Sequence, residues 1–402
     1  MNLVDTIQHL GIDHLFQEEI DSALKDIHEN DLASSKLHEV ALRFRLLREH
    51  GFWVSPDVFN KFKGDHGTFN NELSLADDPR GLLSLYNAAH LFIHGEPELV
   101  EAISFARHHL ESFNRRNVLK APLADQVKRA LHLPLPRTHR RVEMVSYMFE
   151  YGREDGHNPV ILELAKLDFN LLQRVHLKEL KEISRWWKDV SGYMGINHIR
   201  DRVIECYTWS YAVYHEEEMS FARMLFAKIV VIIALLDDTY DVHGYTSIQE
   251  CRMLNAAIQG WDDSAVLLVP EYLRKFYEFI LRCFREFEDQ VPSNQKYLIA
   301  FSKTELGSQN KADMPCSVES YINEHKVTAD VAIAKINELV EDEWKTTNQA
   351  RIDHRDVLPV VQRLINITMA IPLYYSDGID GFTFGEGIQE VLEKLYVKPI
   401  PL

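Results

Sequence analysis

Residues Phe221–Asp241 read FARMLFAKIVVIIALLDDTYD, a run long and apolar enough to form a buried helix that closes on three carboxylates. Asp237 and Asp241 are four residues apart and so share a face, whereas Asp238 points about 100° away. Two carboxylates on one face at a cavity rim can hold Mg²⁺ through oxygen and leave positions open for a phosphate. Acids at a helix C-terminus oppose the macrodipole, a cost that a bound cation reverses. The alternative is a solvent-exposed, Asp-rich last turn.

Upstream lies Arg200-Asp201-Arg202, whose two permanently charged guanidiniums match phosphate oxygens bidentately. Alone, the tripeptide would read as a surface ion pair with Asp201 or Glu205. Tyr207, Trp209, Tyr211 and Tyr214 follow. On a helix they cannot all face one cavity, so most are core and one or two line a pocket, where an aromatic face stabilises positive charge.

Beyond this centre, helix signals fill the chain. Phe16, Ile20, Leu24 and Ile27 recur at helical steps after Asp13, an N-cap candidate. Leu37, Val40, Ala41, Phe44 and Leu47 repeat the pattern, Gly51 stops it in a left-handed position, and Ser55-Pro56 opens a further helix. Similar punctuation at Pro79, Pro97, Pro122 and Pro159, with no clean strand alternation, makes the chain all-α. The loop 152–159 marks a domain boundary candidate. Residues 115–141 carry eight Lys or Arg against one Asp, read as a solvated face or an interdomain contact before an anion site. His108 and His109 are adjacent and diverge too far on a helix to chelate one metal.

Composition narrows the function. The 402 residues are 46% apolar and 26% charged, as in a globular protein, and the formal charge of −17 has the wrong sign for neutralising nucleic-acid phosphates. The longest apolar run, Ile229 to Leu236, ends on two aspartates, short of the roughly 18 residues of a spanning helix, so no membrane partner is expected. Cys206, Cys251, Cys283 and Cys316 form no CxxC pair, and the N-terminus carries no leader pattern, so a reducing, cytoplasmic location is expected.

The order Ser184-Arg185-Trp186-Trp187-Lys188-Asp189, Arg200-Asp201-Arg202, Glu205-Cys206-Tyr207-Thr208-Trp209 and Asp237-Asp238-Thr239-Tyr240-Asp241 resembles plant class I terpene synthases, most closely the sesquiterpene synthases. The resemblance extends over Leu167–Leu172 and Ile336–Lys345. It implies an N-terminal helical domain over 1–165 and a C-terminal metal-binding helical bundle over 166–402 that holds a prenyl diphosphate. In that frame Asp237 and Asp241 are the Mg²⁺ ligands of the DDxxD motif, with Mn²⁺ as the alternative ion. Arg200 and Arg202 retain the departing diphosphate, Trp209 walls the pocket, and Tyr375 and Asp380 match lid residues, with Phe382 in place of a common second tyrosine. The implied reaction is cyclisation of farnesyl diphosphate by a monomer.

Two departures accompany the resemblance. The family's second metal motif has no acidic counterpart, since its positions fall on Ala300, Thr304 and Ser308, or on Thr304, Ser308 and Ala312. The interval after Asp237 is also shorter than the family's, so helices are expected to be missing between Lys303 and Ser308. On this resemblance the chain is expected to begin inside the N-terminal domain, and the RRx8W motif is not found; Arg115-Arg116 has no Trp at the needed spacing. A catalytically inactive helical protein is therefore one alternative. A prenyltransferase is another, although it would carry a second aspartate motif and Asp77-Asp78 and Asp262-Asp263 lack the later Asp.

Overall fold

The computed structural model describes residues 1–30, 34–64, 66–69, 75–195, 199–241, 246–308, 317–375 and 380–402, the side chains of 241, 305, 307, 308 and 386 excepted. As the sequence implies, the fold is all-α, and no strand occurs among the described residues. The helices are α1 (Asn2–Leu10), α2 (Gln17–Glu29), α3 (Leu37–Glu49), α4 (Pro79–Ala89), α5 (Pro97–Arg116), α6 (Leu123–His132), α7 (Arg140–Tyr151) and α8 (Pro159–Met194). They continue with α9 (Val203–Val213), α10 (Ser220–Asp241), α11 (Ile248–Gly260), α12 (Glu271–Gln290), α13 (Lys296–Ser308), α14 (Ser317–His325), α15 (Ala329–Asp353), α16 (Leu358–Tyr375) and α17 (Gln389–Tyr396).

Packing groups the chain otherwise than the expected division into 1–165 and 166–402. One unit comprises Met1–Arg174 with Lys335–Leu402, the other Val175–Ala334, and the division points fall inside α8 and α15.

In the first unit, α3, α4 and α5 pack in succession. Asp78 caps α4, its carboxylate accepting from the Gly81 amide at 2.8 Å, and Pro79 fills the first helical position. Gly51 follows the end of α3 with φ 73°, and a Cβ there would lie 2.4 Å from the Arg351 carbonyl oxygen, so glycine is required twice over. Two local expectations change. Ser55-Pro56 opens a 3₁₀ stretch, Pro56–Phe62, and not an α-helix; the Ser55 hydroxyl accepts from the Asp57 amide at 3.2 Å, a bond that nucleates either turn. Asp13 begins a short 3₁₀ turn, and α2 starts at Gln17.

Arg48 and Glu96 are buried together as a matched pair. Arg48 reaches both oxygens of Glu96 at 2.7 and 2.5 Å and donates to the carbonyls of Val54 and Leu91. The C-terminus is tied down by α8: Asn170 exchanges two bonds with the Ile400 backbone, and the Gln173 amide donates to the carbonyls of Lys394, Leu395 and Lys398.

In the second unit, α9 packs on α10, and α11 packs with α12 and α13. A capping box of Ser247 and Glu250 starts α11. Phe276, Phe279, Ile280, Phe284 and Phe287 of α12 are buried, and the Trp261 ring lies 4.7 Å from that of Phe284 while its Nε1 donates to the Lys303 carbonyl. Two helical stretches, Glu217–Tyr240 and Arg355–Tyr375, are long and apolar enough to cross a membrane by length and composition, against the expectation that none is. Uninterrupted apolar runs are short in both, but a few polar residues spread along a helix leave its average apolar. Core helices meet the same test, but only 33% of each stretch is buried, so α10 and α16 carry apolar sides in contact with solvent.

Candidate active site

The apolar body of α10 delivers Asp237, Asp238 and Asp241 to its C-terminal end. Asp238 is 2% exposed and Thr239 is fully buried, whereas Asp237 is half-buried. Asp237 and Asp238 are therefore no solvent-exposed pair. The Asp241 backbone closes the helix, and its side chain lies outside the described residues.

The residues before α9 meet this turn. Arg200 donates through Nε and Nη2 to Asp238 Oδ1 at 3.0 and 2.6 Å, and its backbone amide donates to Asp238 Oδ2 at 3.0 Å. Three donors thus satisfy a carboxylate that burial would otherwise penalise. The guanidinium also supplies positive charge at the negative end of α10. The partner of Arg200 is accordingly Asp238, neither Asp201 nor Glu205.

The two arginines differ in setting. The Arg200 side chain is 46% exposed, and its Nη1 makes no hydrogen bond to a described residue. Arg202 is 8% exposed and occupies the N-cap of α9, where its carbonyl accepts from Cys206. Burial raises the nearby Glu205 carboxyl above its ordinary value. Trp209 is half-buried on α9, while Tyr207 and Tyr211 are core and Tyr214 caps the helix C-terminus.

Tyr375 and Asp380 belong to the first unit and are described within it. Tyr375 ends α16 and is 49% exposed. Asp380 Oδ1 accepts from the Thr383 amide at 2.8 Å, which closes a turn, and the ring of Phe382 meets that of buried Tyr374 edge-on at 5.8 Å. On α13, Ala300 and Thr304 are exposed, and the Thr304 hydroxyl donates to the Ala300 carbonyl. Ser308 has no described side chain, and Ala312 lies outside the described residues.

Sequence reasoning missed the part played by Asp238. Its offset from Asp237 was legible, but a partner 38 residues away was not. It also missed Glu179 and Arg223, a buried ion pair behind α9 and α10. The only trace of that pair in the sequence is a charged residue set within each apolar helix pattern.

Comparison with known proteins agrees with this architecture. Residues 1–131 match the family model "Terpene synthase, N-terminal domain", and residues 188–307 match "Terpene synthase family, metal binding domain". The tau-cadinol synthase of Zea mays is 44% identical over 490 residues, covering 100% of this chain and 88% of the relative. The alpha-copaene synthase of Zea mays is 41% identical over 493 residues, covering 100% and 91%. The crystal structure of isoprene synthase from grey poplar leaves superposes with a TM-score of 0.84 at 25% identity, covering 100% of this chain and 90% of that one. An all-helical chain with a metal-binding bundle and this aspartate-bearing helix is of the terpene synthase kind. The chain belongs to the terpene synthase family, and its relatives include plant sesquiterpene synthases.

Proposed function

We propose that the chain binds a prenyl diphosphate, farnesyl diphosphate by preference, where α10 ends, and ionises it in a Mg²⁺-dependent sesquiterpene synthase reaction. The Arg200–Asp238 pair carries this reading, because it sets a half-exposed guanidinium at the C-terminal end of α10. Asp237 and Asp241 would hold the ion, for which their hard oxygen donors are suited; Mn²⁺ is the alternative. No group of three or more His, Cys, Asp or Glu able to hold a metal occurs among the described residues.

When bound, the ion stabilises charge on the departing diphosphate as a Lewis acid. Asp238 fixes the Arg200 guanidinium in advance, so that Nη1 can donate to a diphosphate oxygen without reorganisation. Arg202 adds fixed positive potential from within the α9 N-cap. Trp209 offers an aromatic face to the allylic cation.

A second reading is favoured by a specific observation. The maize alignments run over 490 and 493 residues against the 402 of this chain, so those relatives hold residues with no counterpart here. The missing helices are proposed to lie between Lys303 and Ser308, and α10 keeps apolar sides open to solvent. Water at the reacting carbon would trap a carbocation. Under this reading the chain binds diphosphate without turnover.

Gas chromatography of a farnesyl diphosphate and Mg²⁺ incubation, beside an Asp237→Ala control, tests both. The expected result is a sesquiterpene hydrocarbon or alcohol from the wild type and none from the variant. Equal product from both removes Asp237 from the mechanism. No product, with Mg²⁺-dependent diphosphate binding intact, establishes the second reading, and a longer prenyl diphosphate formed when isopentenyl diphosphate is added would make the chain a prenyltransferase.

A further inference from the structure

The α9–α10 hairpin is pinned at one end by Arg200 and Asp238, and at the other by a second, deeper pair. Glu179 of α8 is 4% exposed, and Arg223 of α10 is fully buried. Arg223 donates to Glu179 through Nε at 2.7 Å and Nη2 at 2.6 Å, and through Nη1 to the carbonyls of Tyr214 and Glu216 at 2.7 and 2.8 Å. The hydroxyls of Tyr207 on α9 and Ser220 on α10 each donate to Glu179 at 2.6 Å. Burial pushes the Glu179 carboxyl up, but the bonds from Arg223, Ser220 and Tyr207 outweigh it and hold it below the ordinary range. One carboxylate thereby gathers three helices, and one guanidinium serves the carbonyls just past α9.

We propose that Glu179 is a positioning residue that sets the axial register of α9 against α10 and so places Arg200 on Asp238. Apolar contacts alone would let two packed helices shift, whereas four directed bonds to one carboxylate admit a single register. The shift need not be large. One helical turn is about 5.4 Å, and α9, at 11 residues, is about 16 Å long, so a slip of one turn would carry Arg200 out of reach of Asp238. The assignment rests on the proposed diphosphate site only for its affinity readout.

The test uses the full chain with Glu179→Gln, Asp238→Asn and their combination, and Tyr207→Phe as a milder change that keeps every charge. Hydrogen exchange is read at the Arg200 amide, which donates to Asp238, and inorganic diphosphate binding is read by calorimetry with Mg²⁺. Glu179→Gln should cut Arg200 amide protection and diphosphate affinity each by about tenfold, and Tyr207→Phe should do so by about threefold. The double variant should bind no more weakly than Asp238→Asn alone, because both act on one contact. A lower melting temperature with unchanged Arg200 protection, in whichever variant folds, overturns the assignment, as do additive affinity losses. A wild type that binds no diphosphate rejects the site reading, and the exchange result then decides the register by itself.

Discussion

Buried histidines make the first unit sensitive to acid. His90 is 8% exposed, its Nδ1–H donates to the Tyr86 carbonyl, and burial drives its pKa down to about 4, with Arg137 and Arg107 adding to the shift. His139 is likewise brought to about 4 by burial and by Arg141, and burial lowers His38 and His50. The unfolded chain protonates His90 and His139 near the ordinary value of about 6.5, and the folded chain does so only near 4. The stabilisation is therefore complete above about pH 6.5 and is lost as pH falls from there toward 4. For His90 the loss amounts to about 3 kcal/mol. Thermal melts of wild type and His90→Gln between pH 7 and 4 should show a shallower pH slope in the variant. Equal slopes would remove His90 from the acid response.

Single helices depend on their ends. The Asp78 cap satisfies one of the orphan amides of α4, so Asp78→Ala should cost about 1 kcal/mol and lower the melting temperature, whereas Asp78→Asn should restore most of the loss. Equal stability of Asp78→Ala and wild type would show the cap to be idle. At this scale the sequence is most informative. Periodicity placed Ile20 and Leu24 on a buried face, and Gly51 marked the end of α3. It failed where one local signal serves two outcomes: Ser55-Pro56 starts a 3₁₀ turn as readily as an α-helix, and Asp13 begins a short turn before α2.

For the whole molecule, family and helical class were legible because motif order along the chain survives without knowledge of packing. The grouping of residues 335–402 with the N-terminal segment was not, because it arises from pairings such as Asn170 with Ile400 and Arg137 with Glu341, at 2.6 and 2.7 Å, between residues far apart in sequence. The candidate site divides in the same way. The position of Asp237 on α10 could be read from spacing, but the bond from Arg200, ahead of α9, to Asp238 depends on how α9 lies on α10. The most direct measurement is a calorimetric titration of the full chain with inorganic diphosphate, in Mg²⁺ and again in EDTA, for wild type and Asp237→Ala. The account requires binding that needs the metal and falls at least about tenfold in the variant. Binding of equal strength without Mg²⁺, or in Asp237→Ala, would contradict it.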